Sequence, residues 1–281
     1  MTLTVVSPIA ASALPTFTKP LVRLRGIEKR YANGTHALEA LDLDVAPGEF
    51  ISLLGPSGCG KSTALRLIAG LGEASAGSID WPTARHDVHG RPLREIGFVF
   101  QDATVMPWAT VAENVYLPLR LKDRPRREVE REIADVLQMV GLSKFADAYP
   151  RELSGGMRMR VSIARALVTR PKLLLMDEPF AALDEITRSR LSDDLLSIRE
   201  RAGCTVVFVT HSVYESVYLS SRIVVLAARP GRIVGELTID EPFPRKGFRL
   251  KPAYARQCVA VSELLEEAMR RGGDAEEEAP Q

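Results

Sequence analysis

The sequence predicts an α/β fold: a mainly parallel sheet alternating with helices, with an antiparallel β flank and a helical insertion. Three observations predict it. Residues 172–176 and 205–209 are short, near-continuous apolar runs, the pattern of strands buried on both faces of a parallel sheet. A glycine-rich turn joins a similar run, residues 49–54, to a stretch with helical spacing. Residues 110–168 then carry three helical patterns and no convincing strand.

In chain order, residues 1–19 are poor in charge and rich in Ala, Thr, Ser and Pro, and read as a loose arm. Residues 42–45 alternate and suit a sheet edge or hairpin. Residues 49–54 form a strand. In the helix over 61–71, Leu65, Ile68 and Ala69 recur on one face and Gly70 and Gly72 are the stops. Residues 96–100 form another strand. Within 128–140, Val129, Ile133, Val136, Leu137 and Val140 share a face. The six basic residues of 120–131 are interleaved with Asp123, Glu128 and Glu130, which favours a solvated face over a phosphate patch. A helix over 186–202 ends at Gly203. Residues 232–239 alternate like an edge strand. Asp274, Glu276, Glu277 and Glu278 mark a solvated acidic tail. The expected division is an arm over 1–19, one domain over 20–250 with its helical part near 102–168, and a C-terminal helix and tail over 251–281.

Composition excludes several classes. Lys and Arg number 37 against 36 Asp and Glu, so the net charge of +1 supplies no whole-chain attraction to nucleic acid. No apolar run reaches the ~18 residues of a membrane span. No basic residue precedes Lys19, so a secretory signal is not expected. Three scattered cysteines, Cys59, Cys204 and Cys258, form neither a metal spacing nor a disulfide framework. The expectation is a soluble protein of a reducing compartment.

Four segments carry chemistry. Gly55-Pro56-Ser57-Gly58-Cys59-Gly60-Lys61-Ser62-Thr63 matches G-x-x-x-x-G-K-[ST] between a strand and a helix, the context the motif requires. Its glycines let backbone N–H groups curl around phosphate oxygens, and the helix N-terminus adds partial positive charge. Lys61 would bridge the β- and γ-phosphates and Ser62 would offer a hydroxyl to Mg²⁺. The run over 173–176 ends in Asp177 and Glu178. Asp177 would hold Mg²⁺ through water, and Glu178 would take a proton from an attacking water. Leu153-Ser154-Gly155-Gly156-Met157 precedes an arginine-bearing helix: Ser154 is a good N-cap and the glycines expose N–H groups. His211 ends the run 205–209 beside the strand that bears Glu178. His36, His86 and His89 are assigned no function. Cys59, inside the phosphate loop, is expected to be a reactive handle with a pKa lowered by the helix N-terminus, an inert buried thiol being the alternative.

The order of these segments, with Gln101 after the strand 96–100, resembles the ATP-binding cassette of ABC transporters over roughly residues 21–240. The resemblance implies a P-loop NTPase fold with ATP and Mg²⁺ as ligands. It also implies roles. Tyr31 stacks on adenine. Gln101 touches Mg²⁺ and senses a transmembrane partner. Leu153–Met157 is the signature that caps the γ-phosphate of ATP held by another cassette. Residues 182–184, with Asp184, form the D-loop that links the two sites. His211 orients the γ-phosphate and water. One phosphate loop and one signature per chain then imply a homodimer of cassettes. Met106-Pro107-Trp108, Met157, the stretch 182–188 and Arg229-Pro230-Gly231-Arg232-Ile233 resemble the nitrate/sulfonate/taurine importers. That branch implies ATP-driven uptake of a small anion at the cytoplasmic face of the inner membrane, with permease subunits and an extracytoplasmic solute-binding protein and no nucleic acid. A soluble, non-transport cassette ATPase is the alternative. Trp108 suits either a docking surface or the core of the helical region. Met159, Ser212 and Ser220-Ser221-Arg222 depart from the commonest cassette pattern without removing a ligand or a base.

Overall fold

The computed structural model describes residues 19–90 and 92–277, with side chains as far as Arg270. The expected arm, up to residue 18, lies outside the described residues, as does Glu278 of the expected tail.

Two sheets organise the chain. Strands β1 (Val22–Arg30), β2 (His36–Val45) and β4 (Ala76–Asp80) form an antiparallel sheet in the order β2-β1-β4. This is the antiparallel flank, and the expected edge at 42–45 is the end of β2. The second sheet has six strands, β5 (Ile96–Val99), β6 (Leu173–Asp177), β7 (Thr205–Thr210), β3 (Phe50–Leu54), β8 (Arg222–Ala227) and β9 (Arg232–Thr238), hydrogen-bonded in that order. All its pairings are parallel except β8 with β9, which places the alternating strand β9 at an antiparallel edge.

The central strands are buried on both faces, and side-chain alternation divides them between two cores. Val206 and Phe208 of β7 join Phe50, Leu174 and Met176 in one core, packed under α2 (Val111–Arg120), α3 (Arg126–Met139), α4 (Gly155–Leu167), α5 (Glu185–Ala202) and α6 (Val213–Leu219). Val207 and Val209 face the other way, with Ile51, Leu53 and Leu175, against α1 (Lys61–Ala69) and the three-stranded sheet. All five residues foreseen on one face of 128–140 are buried in the first core. Of the basic residues of 120–131, Arg124 pairs with Glu132 at 2.8 Å and Arg126 stacks on Tyr116, both at the protein surface. The helix ends agree with their sequence signals. Gly70 and Gly203 adopt left-handed C-caps, and Thr110 with Glu113 forms a capping box at the start of α2. A final helix, α7 (Pro252–Glu277), packs across β8 and β9 and places Leu264 over Gly235.

Arg245 ties this C-terminal part to the α/β core. It is 1% exposed, and its guanidinium donates to the carbonyls of Val217 and Tyr218 at the end of α6 and to those of Ile239 and Glu241. A cation at a helix C-terminus is favoured by the orphan carbonyls there. Burial pulls its pKa down to about 10, so it remains charged at neutral pH. Arg245→Met would strand these carbonyls, at a cost of about 3 kcal/mol. At 2–4 °C per kcal/mol for a domain of this size, thermal unfolding should occur about 6–12 °C lower. A loss under 2 °C would show that water satisfies the carbonyls.

Candidate active site

Parallel pairing sets the site. The register places Leu54 opposite Thr210 and Asp177 opposite Val209, so the segments that follow β3, β6 and β7 leave the sheet side by side. Those segments are the phosphate loop, Glu178 and His211. In open parallel sheets this carboxyl edge is where ligands bind.

The phosphate loop wraps the N-terminus of α1. Gly58 and Gly60 have φ of +79° and +88°, a left-handed backbone that a side chain would strain. Lys61 is 4% exposed, and its Nζ donates to the carbonyls of Gly55 and Pro56 at 2.8 and 2.9 Å. The Ser62 hydroxyl donates to Asp177 Oδ1 at 2.7 Å across 115 residues of sequence. Burial pushes the Asp177 carboxyl above the usual carboxylate range. Glu178 follows with φ of +44°, a conformation costly for a glutamate and typical of functional sites. Its Oε2 lies 3.2 Å from Nδ1 of the exposed His211. A cavity of about 550 Å³ opens over the loop, lined by residues 57–63 together with Tyr31 and Glu178. Tyr31 is 40% exposed, and its hydroxyl lies 3.2 Å from that of Thr63.

Other expected residues sit apart from this cavity. Gln101 is exposed in the turn after β5, at the same carboxyl edge but outside the cavity lining. Ser154 caps α4 by accepting the Met157 N–H at 3.2 Å, with Ser154 and Gly155 exposed and Leu153 and Gly156 buried. The arginines of α4 are engaged within the chain: Arg158 with the Leu153 carbonyl, Arg160 with Asp194, Arg165 with residues 103–104. Asp184 caps α5 by accepting the Thr187 N–H at 2.9 Å, which holds its carboxyl below the usual range. The segments 153–157 and 182–188 are neighbours: a Cβ on Gly155 would lie 3.6 Å from Leu183, and one on Gly156 would meet Thr187 at 2.8 Å.

Trp108 is 76% exposed, so the core reading of this tryptophan is wrong. The fully buried Asn114 accepts the Met106 N–H and donates to the carbonyls of Met106, Ala109 and Thr110. The loop folds on that amide, and Trp108 is left outside.

His36, Arg229 and Pro230 also line the cavity, and sequence reasoning gave none of them a place there. Hydrogen bonds between Gly231 and residues 37 and 39 hold the segment, and a Cβ on Gly231 would fall 2.1 Å from the Cys59 carbonyl. The available signal was the Arg229-Pro230-Gly231 string itself, a tight turn 170 residues from the loop it supports. The departures from the commonest pattern are absorbed locally. Met159 is buried, Ser212 accepts the Glu215 N–H to cap α6, and Ser220 bonds Ser52 at 2.5 Å.

A phosphate loop, two acids and a histidine on adjacent strand ends, with a capped Leu-Ser-Gly-Gly helix elsewhere on the surface, suit nucleotide hydrolysis. A family profile described as ABC transporter matches residues 38–181, about half of the chain. The chain belongs to the ABC transporter family. The cassette is 44% identical over 245 residues to the aliphatic sulfonates import ATP-binding protein of Pseudomonas syringae, covering 87% of this chain and 96% of the relative. It is 47% identical over 221 residues to the nitrate import ATP-binding protein of Synechococcus elongatus, covering 76% of this chain and 32% of that longer relative. Among solved structures, a dimeric ATP-binding cassette bound to ADP and phosphate is 34% identical, with a TM-score of 0.66, and is matched over its whole length by 79% of this chain. The protein is therefore an ATP-binding, ATP-hydrolysing cassette.

Cys59 corrects an expectation. It is fully buried, with Sγ 3.7 Å from Lys61 Nζ, and desolvation raises its pKa rather than lowering it. Cys204 and Cys258 are buried too. Native protein should resist maleimide at neutral pH with or without Mg-ATP, and label only on unfolding. Rapid labelling of Cys59 in the folded cassette would contradict this burial.

Proposed function

We propose that the chain is the ATPase subunit of an importer, coupling ATP hydrolysis to uptake of a small anion of the nitrate or sulfonate class. The observation that carries the reading is the cluster of Lys61, Ser62, Asp177, Glu178 and His211 at one sheet edge. The importer assignment is supported by relatives named for nitrate and aliphatic sulfonate import. Among the described residues no helix is long and apolar enough to cross a membrane; the importer reading assigns the transport path to permease subunits. A solute-binding protein outside the membrane completes the assembly, and the cassette works at the cytoplasmic face.

ATP enters with its adenine against Tyr31 and its phosphates in the loop over 55–63, where Lys61 meets the β- and γ-oxygens. The donor set fits Mg²⁺: a hydroxyl and a buried carboxylate converge at 2.7 Å, and this ion takes few protein ligands beside phosphate oxygens and water. Ser62, Asp177 and Gln101 would hold it, and it would neutralise charge on the phosphates. Glu178 accepts the proton of the attacking water, and His211 orients Glu178 and the γ-phosphate. Leu153–Met157 serves the ATP of a second cassette, which agrees with its place outside the cavity of its own chain.

Glu178→Gln keeps the shape and loses the base. Phosphate release should fall ~10²–10⁴-fold, about 3–5 kcal/mol of barrier, while ATP binding is unchanged. Turnover within tenfold of wild type would remove Glu178 from this role.

The shared site has its own test. Lys61→Ala and Ser154→Arg each disable both sites of a homodimer. A mixed dimer gathers both defects in one site and leaves the other intact. Mixing the two inactive proteins should restore part of the ATPase activity or, where the sites are cooperative, nucleotide trapping. Verified heterodimers that show neither would exclude a site shared between chains.

Trp108 stands beside a surface cavity of about 550 Å³ lined by Met106, Tyr116, Leu117 and Arg126, and suits a docking helix of the permease. Trp108→Ala should abolish co-purification with the permease and leave the melting temperature of the isolated cassette unchanged. Normal assembly would place the docking surface elsewhere.

A further inference from the structure

Behind His211 lies a partly buried ionic link, with Glu215 buried and Arg188 half-buried, that the catalytic assignment leaves unused. Glu215, on the first turn of α6, is 9% exposed. Its Oε2 accepts the Thr210 hydroxyl at 2.5 Å. That same hydroxyl oxygen accepts the Ser212 N–H at 3.0 Å, so the two neighbours of His211 in the chain are both tied to one point. The other oxygen, Oε1, faces Nε of Arg188 at 3.5 Å. From α5, Arg188 reaches back through Nη2 to the carbonyl of Leu183 at 3.0 Å. Leu183 immediately precedes Asp184, and Ala182, Asp184 and Ile186 are exposed. A continuous path thus runs from the exposed D-loop through Leu183, Arg188, Glu215 and Thr210 to His211, and from there to Glu178 at 3.2 Å.

Two features make this path adjustable. The Arg188 Nε–H is buried and has the charge of Glu215 nearby without a hydrogen bond. A buried donor left unpaired is costly, so a small movement of α5 that completes the bond is favoured. The residues at both ends leave regular structure at strand or helix termini, where small backbone shifts are absorbed. Burial also raises the Glu215 carboxyl above the usual range, and Arg188 is its nearest counter-charge on another element.

The geometry points to Arg188 and Glu215 as a positioning pair that couples the D-loop to His211, so that seating a second cassette against Asp184 sets the imidazole against Glu178. This rests on the reading above that two cassettes pair through the D-loop and share their sites. Neither residue touches nucleotide. Together they link hydrolysis to engagement of the partner.

The test uses full-length Arg188→Gln and Glu215→Gln, the second nearly isosteric and able to keep the Thr210 contact. Three readouts are needed: steady-state ATPase, ATP-driven pairing by size exclusion, and the NMR signal of ¹³Cε1-labelled His211. The chain has four histidines, so loss of one signal in His211→Ala assigns it. Each variant should lose about 10- to 100-fold in kcat with KM within about twofold, the range expected of a misplaced catalytic group. Pairing in a non-hydrolysable ATP analogue should persist. The His211 signal should shift on pairing in wild type and stay near its unpaired position in the variants. The double variant should be no worse than the poorer single one, since both break one link. Variants that pair normally and keep wild-type kcat, or whose His211 signal shifts as in wild type, would overturn the coupling while leaving the shared site standing. A wild type that turns over without pairing would overturn the shared site, and the coupling with it.

Discussion

Parallel hydrogen bonding through β6, β7 and β3 is the constraint on which the rest depends. With Asp177 opposite Val209 and Leu54 opposite Thr210, three segments leave the sheet at the same edge. A slip of one residue would turn every inward side chain to the opposite core. The two cores forbid it, because Val206 and Phe208 fill one and Val207 and Val209 fill the other. Packing therefore fixes the register, and the register fixes the distances among Lys61, Asp177, Glu178 and His211.

The chemistry of the edge follows from what those ends carry. The phosphate loop contributes backbone donors and a buried ammonium, the end of β6 contributes two carboxyls, and β7 contributes a histidine. Local strain is present at the same place, with Glu178 held in the left-handed region. The sheet around it supplies the rigidity that keeps so unfavourable a conformation populated. Supporting contacts come from far away in sequence: Gly231 packs on the Cys59 carbonyl, and Arg245 fastens the segment beyond β9 to the end of α6.

A surface division accompanies this. The cavity over the phosphate loop, the helix capped by Ser154 with the adjoining turn at 182–184, and the exposed Trp108 are separate faces of the molecule. Asn114 and Glu215, both buried, organise the latter two. Asn114 gathers the loop that extrudes Trp108, and Glu215 with Arg188 ties the D-loop turn to the strand end at Thr210. A cassette that must respond to a membrane subunit, a second cassette and a nucleotide needs such links between faces.

By itself the sequence determined the class of fold, the parallel strands, the phosphate loop, the paired acids and the capped helices. Each of these is a local pattern: an apolar run of strand length, a glycine spacing, a cap residue before a periodic stretch. It also carried the motif order that names the family. Only the tertiary structure decided the rest. Whether Trp108 was core or surface, and whether Cys59 was reactive or inert, depended on what packs around them. The placement of His36 and Arg229 at the nucleotide cavity, and the path from Leu183 to His211, join residues tens to nearly two hundred positions apart. Such contacts leave no local spacing to read, because the register of the sheet and the volume of the two cores create them.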